Sequence, residues 1–283
     1  MKELKNFMRA KTKLKSKSQN KKPIGIFDSG FGGLTVMSAM RKKFPNENLI
    51  YFGDTAHVPY GSKSKDAVIK FSKNIAAFLL KNNVKLIVAA CNTASAFALT
   101  ALQKSVDIPV IGVIEPGAQS AVNATKIKKI GIIGTEGTIS SKSYVKAIKK
   151  ISKASVYGQA CPLFVPLVEE GWTNDAAASY IAQIYLAPLR EKKIDTLVLG
   201  CTHYPLLKSV LQRAAGNKIN LIDSADAVTV KAGNLLANNL LLNDSKKRGS
   251  LSFYVSDNPE KFKKIGAKFF KGRIKKVKKI DLG

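Results

Sequence analysis

Cysteine is scarce in this chain of 283 residues: there are three, an odd number, at wide spacing. That excludes a disulfide framework and fits a reducing, cytoplasmic compartment. Histidine is scarcer still, with only His57 and His203, and no Cys-x-x-Cys pair occurs. A structural zinc site therefore lacks ligands, and no metal is expected. No apolar run approaches the length that spans a bilayer, so no transmembrane helix or membrane role is expected. The basic N-terminus is followed by no apolar stretch, which excludes the form of a secretory signal. Gly30-Phe-Gly-Gly-Leu-Thr35 lacks both the Gly-Lys-Ser/Thr of a phosphate loop and the spacing of a dinucleotide fingerprint. Its glycines suit a tight strand-to-helix turn that brings backbone close to a small anion. No lysine motif for pyridoxal phosphate is evident, and no cofactor is expected.

Acidic residues are also few: 19 Asp and Glu against 47 Lys and Arg, a formal charge of +28. The excess sits at the ends. Residues 1–22 hold nine basic residues and one Glu, and residues 260–283 hold ten against Glu260 and Asp281. Such ends invite a nucleic-acid reading. Only six of the basic residues are arginine, and the N-terminal segment has few aromatics, which disfavours base readout. A solvated lysine-rich surface is the preferred account, with nucleic-acid contact through the termini the lesser one. Residues 1–22 have no apolar periodicity and are expected to be a disordered tail.

From Pro23 onward, short apolar runs alternate with amphipathic stretches. Strands are predicted at Ile24–Phe27, Leu49–Phe52, Leu86–Ala90 and Val110–Val113, and helices over 33–44, 64–83 and 93–104. The pattern then restarts. Ile130–Ile133, Ala154–Ala160, Thr196–Leu199 and Ile219–Ile222 read as strands. Helices are predicted after Thr135 through about Lys150, over 176–190, from about Pro205, and over 225–241. Alternation of this kind gives an α/β fold of mostly parallel sheets flanked by helices. Pro-Ile-Gly-Ile-Phe-Asp-Ser-Gly (23–30) resembles Lys-Ile-Gly-Ile-Ile-Gly-Thr (129–135). Asp28 precedes Cys91 by 63 residues, and Gly134 precedes Cys201 by 67. Two similar lobes follow, with the active site in the cleft between them.

In parallel sheets ligands bind at the carboxyl ends of the strands. Asp28, Ser29, Cys91, Asn92, Thr93, Thr135, Cys201, Thr202 and His203 all fall there. Cys161, in Gln-Ala-Cys-Pro-Leu-Phe, has no polar cluster around it and reads as a small buried hydrophobe. Cys91 and Cys201 differ. Each ends a strand, precedes polar residues, and is expected to meet a helix N-terminus whose free N–H groups favour a thiolate. A Cys–His–Asp hydrolase would use one cysteine and leave the other idle. Racemisation uses both, because one thiolate takes a proton from one face of a carbon while a thiol returns one to the other.

Ile-Phe-Asp-Ser-Gly-Phe-Gly-Gly-Leu-Thr (26–35), Tyr-Phe-Gly-Asp-Thr-Ala-His-Val-Pro-Tyr-Gly (51–61), Ala-Cys-Asn-Thr-Ala-Ser (90–95), Cys-Pro-Leu-Phe-Val-Pro-Leu-Val-Glu-Glu-Gly (161–171) and Gly-Cys-Thr-His-Tyr-Pro (200–205) resemble the glutamate racemases. The resemblance implies a cofactor-independent isomerase that interconverts L- and D-glutamate and supplies D-glutamate for bacterial peptidoglycan, hence for cell-wall biogenesis and cell shape. It implies a cytoplasmic homodimer. It implies that Cys91 takes the proton from D-glutamate and Cys201 from L-glutamate, with Asp28 assisting the first and His203 and Glu169 the second; Glu170, adjacent, is the alternative carboxylate. The substrate would be held by Asp28, Ser29, Tyr60, Gly61, Asn92, Thr93, Thr202 and His203, with Thr135 a further candidate. His57 matches a motif but reads equally as a loop-packing residue. The lobes implied are residues 23–115 with 225–283, and residues 116–224. The related aspartate racemases differ by a pocket one methylene shorter, worth only about 1–3 kcal/mol in discrimination.

Overall fold

The computed structural model describes residues 19–282. Most of the N-terminal basic tail, residues 1–18, therefore lies outside the described residues. Ten strands occur in chain order: β1 (Ile24–Asp28), β2 (Leu49–Gly53), β3 (Leu86–Ala89), β4 (Val110–Gly112), β5 (Lys129–Gly134), β6 (Ser155–Ala160), β7 (Thr196–Gly200), β8 (Asn220–Asp223), β9 (Leu251–Val255) and β10 (Lys278–Lys279). They form a six-stranded sheet in the order β10-β9-β2-β1-β3-β4 and a four-stranded sheet in the order β6-β5-β7-β8. Every pairing is parallel.

The predicted restart is a topological repeat. The order β2-β1-β3-β4 matches β6-β5-β7-β8 strand for strand. The register agrees: Phe27 pairs with Ala89 in the first sheet, and Gly134 pairs with Gly200 in the second. Cys91 and Cys201 thus follow equivalent strands at equivalent points.

The strands of the first sheet have continuous apolar sequences because both faces are covered. β1, β2, β3 and β4 are buried along their whole lengths. Ile24 and Ile26 face one core, and Phe27 faces the other. In the second sheet the edge strands β6 and β8 are only partly covered, which fits their mixed sequences.

Several elements depart from the sequence reading. The helix expected over 93–104 is two, Asn92–Phe97 and Leu99–Ser105, broken at Ala98. The one expected after Thr135 is also two, Glu136–Ser140 and Ser143–Ile151, separated by Lys142 in the left-handed region at φ 54°. The lysine-rich C-terminus carries β9, β10 and the helix Pro259–Phe270, whose Phe262, Ile265, Phe269 and Phe270 are buried. That helix starts in good form: Asn258 accepts a hydrogen bond from Lys261 N, and Pro259 occupies the first turn.

The chain passes from the first sheet to the second through the helix Ile114–Ala124 and returns through Ser224–Asn238. The two helices pack side by side. Among the described residues no helix is long and apolar enough to cross a membrane.

Candidate active site

Each sheet changes direction at its first strand. From β1 the chain adds β2 on one side and β3 on the other; from β5 it adds β6 and then β7. At such a switch point the loops beyond neighbouring strands diverge and leave a crevice at their carboxyl ends. Asp28 and Cys91 lie at the first crevice, and Thr135 and Cys201 at the second.

The two crevices face each other and are joined by polar contacts. Thr202 Oγ1 donates to Asp28 Oδ1 at 3.2 Å. Asp28 Oδ2 accepts Gly30 N–H at 3.0 Å. Thr93 Oγ1 lies 2.9 Å from Thr135 Oγ1 and 3.3 Å from Thr138 Oγ1. Tyr144 Oη donates to Asn92 Oδ1 at 2.8 Å. Two glycines allow the close approach. A Cβ on Gly32 would stand 2.2 Å from Thr202 Oγ1, and one on Gly61 would stand 2.5 Å from Thr135 Cβ. Only a residue without a side chain fits at either point.

Around Cys91, burial is nearly complete at 6% exposure. The residue caps the short helix Asn92–Phe97, and its thiol donates to Ser29 Oγ at 3.7 Å. Burial, then the Asp28 carboxylate, push the thiol up to about 12, against the lowering effect of Ala94 N–H and Ser29. Burial likewise raises Asp28 above the usual carboxylate range, although the charge on His203 opposes it.

Cys201 is equally buried but differently placed. The expected helix N-terminus is absent at this point. A 3₁₀ turn, Tyr204–Leu207, follows, and the α-helix begins only at Lys208. His203 takes over the electrostatic role. Its Nδ1 is 3.9 Å from Cys201 Sγ, and its Nε2 is 3.2 Å from Glu169 Oε1. Burial opposes a charge on the ring, but the bonds to Cys201 and Glu169 overcome it and carry His203 up to about 10. Glu169 is half-buried at the end of the helix Phe164–Glu170, while Glu170 is exposed. Of the two, Glu169 is the carboxylate that contacts His203.

The remaining candidates separate cleanly. Tyr60 is buried, but its hydroxyl is committed to Asp54 Oδ2 at 2.5 Å. Any part it plays at the site falls to its backbone and to Gly61. His57 bonds to Asp54 at 2.9 Å and stacks on Phe71 at 4.0 Å between centroids, so it packs the loop. Cys161 is fully buried, donates to Gln159 O at 3.6 Å, and is pushed up by burial, as suits an inert thiol. All three cysteines are free. Among the described residues no cluster of His, Cys, Asp or Glu could hold a metal ion. A cavity of about 790 Å³, lined by Ser95, Glu115, Lys146, Lys150 and Lys231, touches none of the candidate residues.

Sequence reasoning missed Thr138 and Tyr144. Thr138 sits three residues beyond the capping Thr135 and donates its backbone N–H to that hydroxyl at 3.3 Å. The Thr-x-x-Thr spacing after β5 was the available signal. Tyr144 carries no local signal at all.

The sequence profile of the Asp/Glu/Hydantoin racemase family matches residues 30–232. The chain is 50% identical over 262 residues to the glutamate racemase of Geobacter metallireducens, covering 92% of this chain and 97% of that one. Among solved structures, it is similar to glutamate racemase from Francisella tularensis in complex with D-glutamate, with TM-score 0.88 and 38% identity over 93% of this chain and 98% of that one. It is also similar to isoform RacE1 from Bacillus anthracis, with TM-score 0.89 and 38% identity over 92% and 97% of the two chains.

Proposed function

The chain belongs to the Asp/Glu/Hydantoin racemase family, and from that premise we propose that it interconverts L- and D-glutamate by direct proton transfer between two thiols, in the cytosol, supplying D-glutamate for peptidoglycan. One observation supports this reading: Cys91 and Cys201 follow equivalent strands of two matching sheets, and Thr202, next to the second, bonds across to Asp28 on the side of the first.

In the L-to-D direction Cys201 removes the Cα proton from one face, and Cys91 delivers its own proton to the other. The reverse direction exchanges the roles. Cys91, raised to about 12, rests as a thiol and is ready to act as the acid. His203, held as a cation by Glu169, balances negative charge on Cys201. Asp28 faces the Cys91 side. Ser29, Asn92, Thr93, Thr202 and the backbone near Tyr60 and Gly61 offer the hydroxyl, amide and N–H donors that two substrate carboxylates require. Such donors also stabilise charge building on the α-carboxylate as the proton leaves. Residues 23–115 with 225–282 form the first lobe in this reading and 116–224 the second, supported by the membership of their sheets.

A homodimer belongs to the same reading. Leu163, Trp172, Tyr180 and Ile184 are all exposed and offer an apolar surface for it. Sedimentation of the full chain tests that part. The activity is tested by chiral chromatography of L- and D-glutamate and aspartate incubated with the protein and no added cofactor. Glutamate is expected to reach a racemic mixture and to gain solvent deuterium at Cα. Conversion of aspartate instead would move the substrate to the related class.

A further inference from the structure

Tyr144 is 2% exposed in the helix Ser143–Ile151 of the second lobe. Its hydroxyl donates to Asn92 Oδ1 and lies beside the side chain of Ser224, the first residue of the returning helix. A Cβ on Gly117, in the outgoing helix, would lie 3.2 Å from the same hydroxyl, and one on Gly200 would lie 3.3 Å from the ring. One phenol therefore touches the residue after the first thiol, the residue before the second, and both helices that join the lobes.

An asparagine amide has an acceptor end and a donor end. Tyr144 takes the acceptor end of Asn92. The donor end, Nδ2, is buried and has no hydrogen-bond partner among the described residues. Buried donors are seldom left unpaired, because desolvation is then uncompensated. Because the phenol donates to Oδ1, Nδ2 is the end of the amide left for another acceptor. We infer that Tyr144 is a positioning residue: it fixes Asn92 with Nδ2 offered to a carboxylate of the bound amino acid. The inference rests on the racemase reading and adds to it a residue that ties substrate recognition to the junction of the lobes.

Steady-state kinetics of the full chain test it. Tyr144→Phe should raise KM for both glutamate enantiomers about five- to tenfold, with kcat held within about twofold, the effect of one neutral hydrogen bond. Asn92→Ala should raise KM at least as much. Adding Tyr144→Phe to Asn92→Ala should change nothing further, because the first acts only through the second. Ser224→Ala should shift KM in the same direction by less, and it supplies the test if Tyr144→Phe does not melt cooperatively. An unchanged KM in a folded Tyr144→Phe or in Ser224→Ala overturns the inference alone, as do effects that multiply in the double variant. No racemisation by the unaltered chain overturns the functional reading, and this inference falls with it.

Discussion

The surroundings of the two thiols differ far more than their positions do. Both follow the third strand of a βαβ repeat at the same register, and both are 6% exposed. Yet Cys91 caps a helix and faces an anionic neighbour, Asp28, while Cys201 has no helix and faces a cationic one, His203. The repeated fold sets where each sulfur stands. The side chains next to it set its charge. A reaction that must run both ways needs symmetry of place, whereas the neighbours of each sulfur can differ in charge.

The sharpest way to break this comparison is to remove one sulfur at a time. Cys91→Ala and Cys201→Ala should each lower racemisation about 10²- to 10⁴-fold, the range of a lost general acid or base. Their residual deuterium exchange should be opposite: Cys201→Ala exchanges only D-glutamate and Cys91→Ala only L-glutamate, read by mass spectrometry. Exchange of the same enantiomer in both variants would mean that the two sulfurs are not on opposite faces.

Removing the charge support of one side should cost less. Glu169→Gln weakens a charge-assisted bond worth about 1.5–3 kcal/mol, so turnover should fall about ten- to a hundredfold. His203 would then lose its proton below its present value of about 10. The alkaline limb of the kcat profile should move to lower pH, and an unmoved limb would detach Glu169 from the site.

Asp28→Asn probes the other side. It removes the carboxylate that helps to raise Cys91 but keeps an oxygen that can accept a hydrogen bond. Iodoacetamide should then label Cys91 at lower pH than in the unaltered chain, measured by peptide mapping across pH 7–11. Labelling of Cys201 should change less.

The smallest effect is on stability. His203 has its folded value raised from 6.5 to about 10, so its contribution is complete below pH 6.5 and is lost as pH rises towards 10. Cys91 acts in the same direction from 9.0 towards 12, because its folded form holds the proton longer. Melting temperature should therefore fall by a few degrees between pH 7 and 10, and by less in Glu169→Gln. A melting temperature that rises over this window would contradict the assignment of His203 as a cation.

Much of this asymmetry was legible in the sequence, and some was not. The apolar runs of β1, β3, β5 and β7, followed at once by Asp28, Cys91, Thr135 and Cys201, showed the repeat and its site, because buried parallel strands leave little room for other residues. The choice of Glu169 over Glu170 was not legible, since neighbours on a helix point about 100° apart and only packing tells which turns inward. The late helix after Cys201 was missed because its first turn, from Tyr204, is 3₁₀, and apolar spacing does not separate the two forms. β9 and the helix Pro259–Phe270 were hidden among lysines, whose heads stay in water while Phe262 and Phe269 enter the core. Tyr144 was invisible for a different reason. It meets Asn92 across 52 residues of sequence, and no local pattern records such a meeting.

The first sheet begins with residue 24 and is finished only when β9 and β10 join it, beyond residue 250. During synthesis the second sheet, complete at Asp223, is therefore available before the first. Until Leu251–Val255 leaves the ribosome, β2 presents a bare, wholly apolar edge to the cell. The half that starts earliest is the last to be safe from aggregation, and the lysines that crowd the final helix arrive with the segment that closes it.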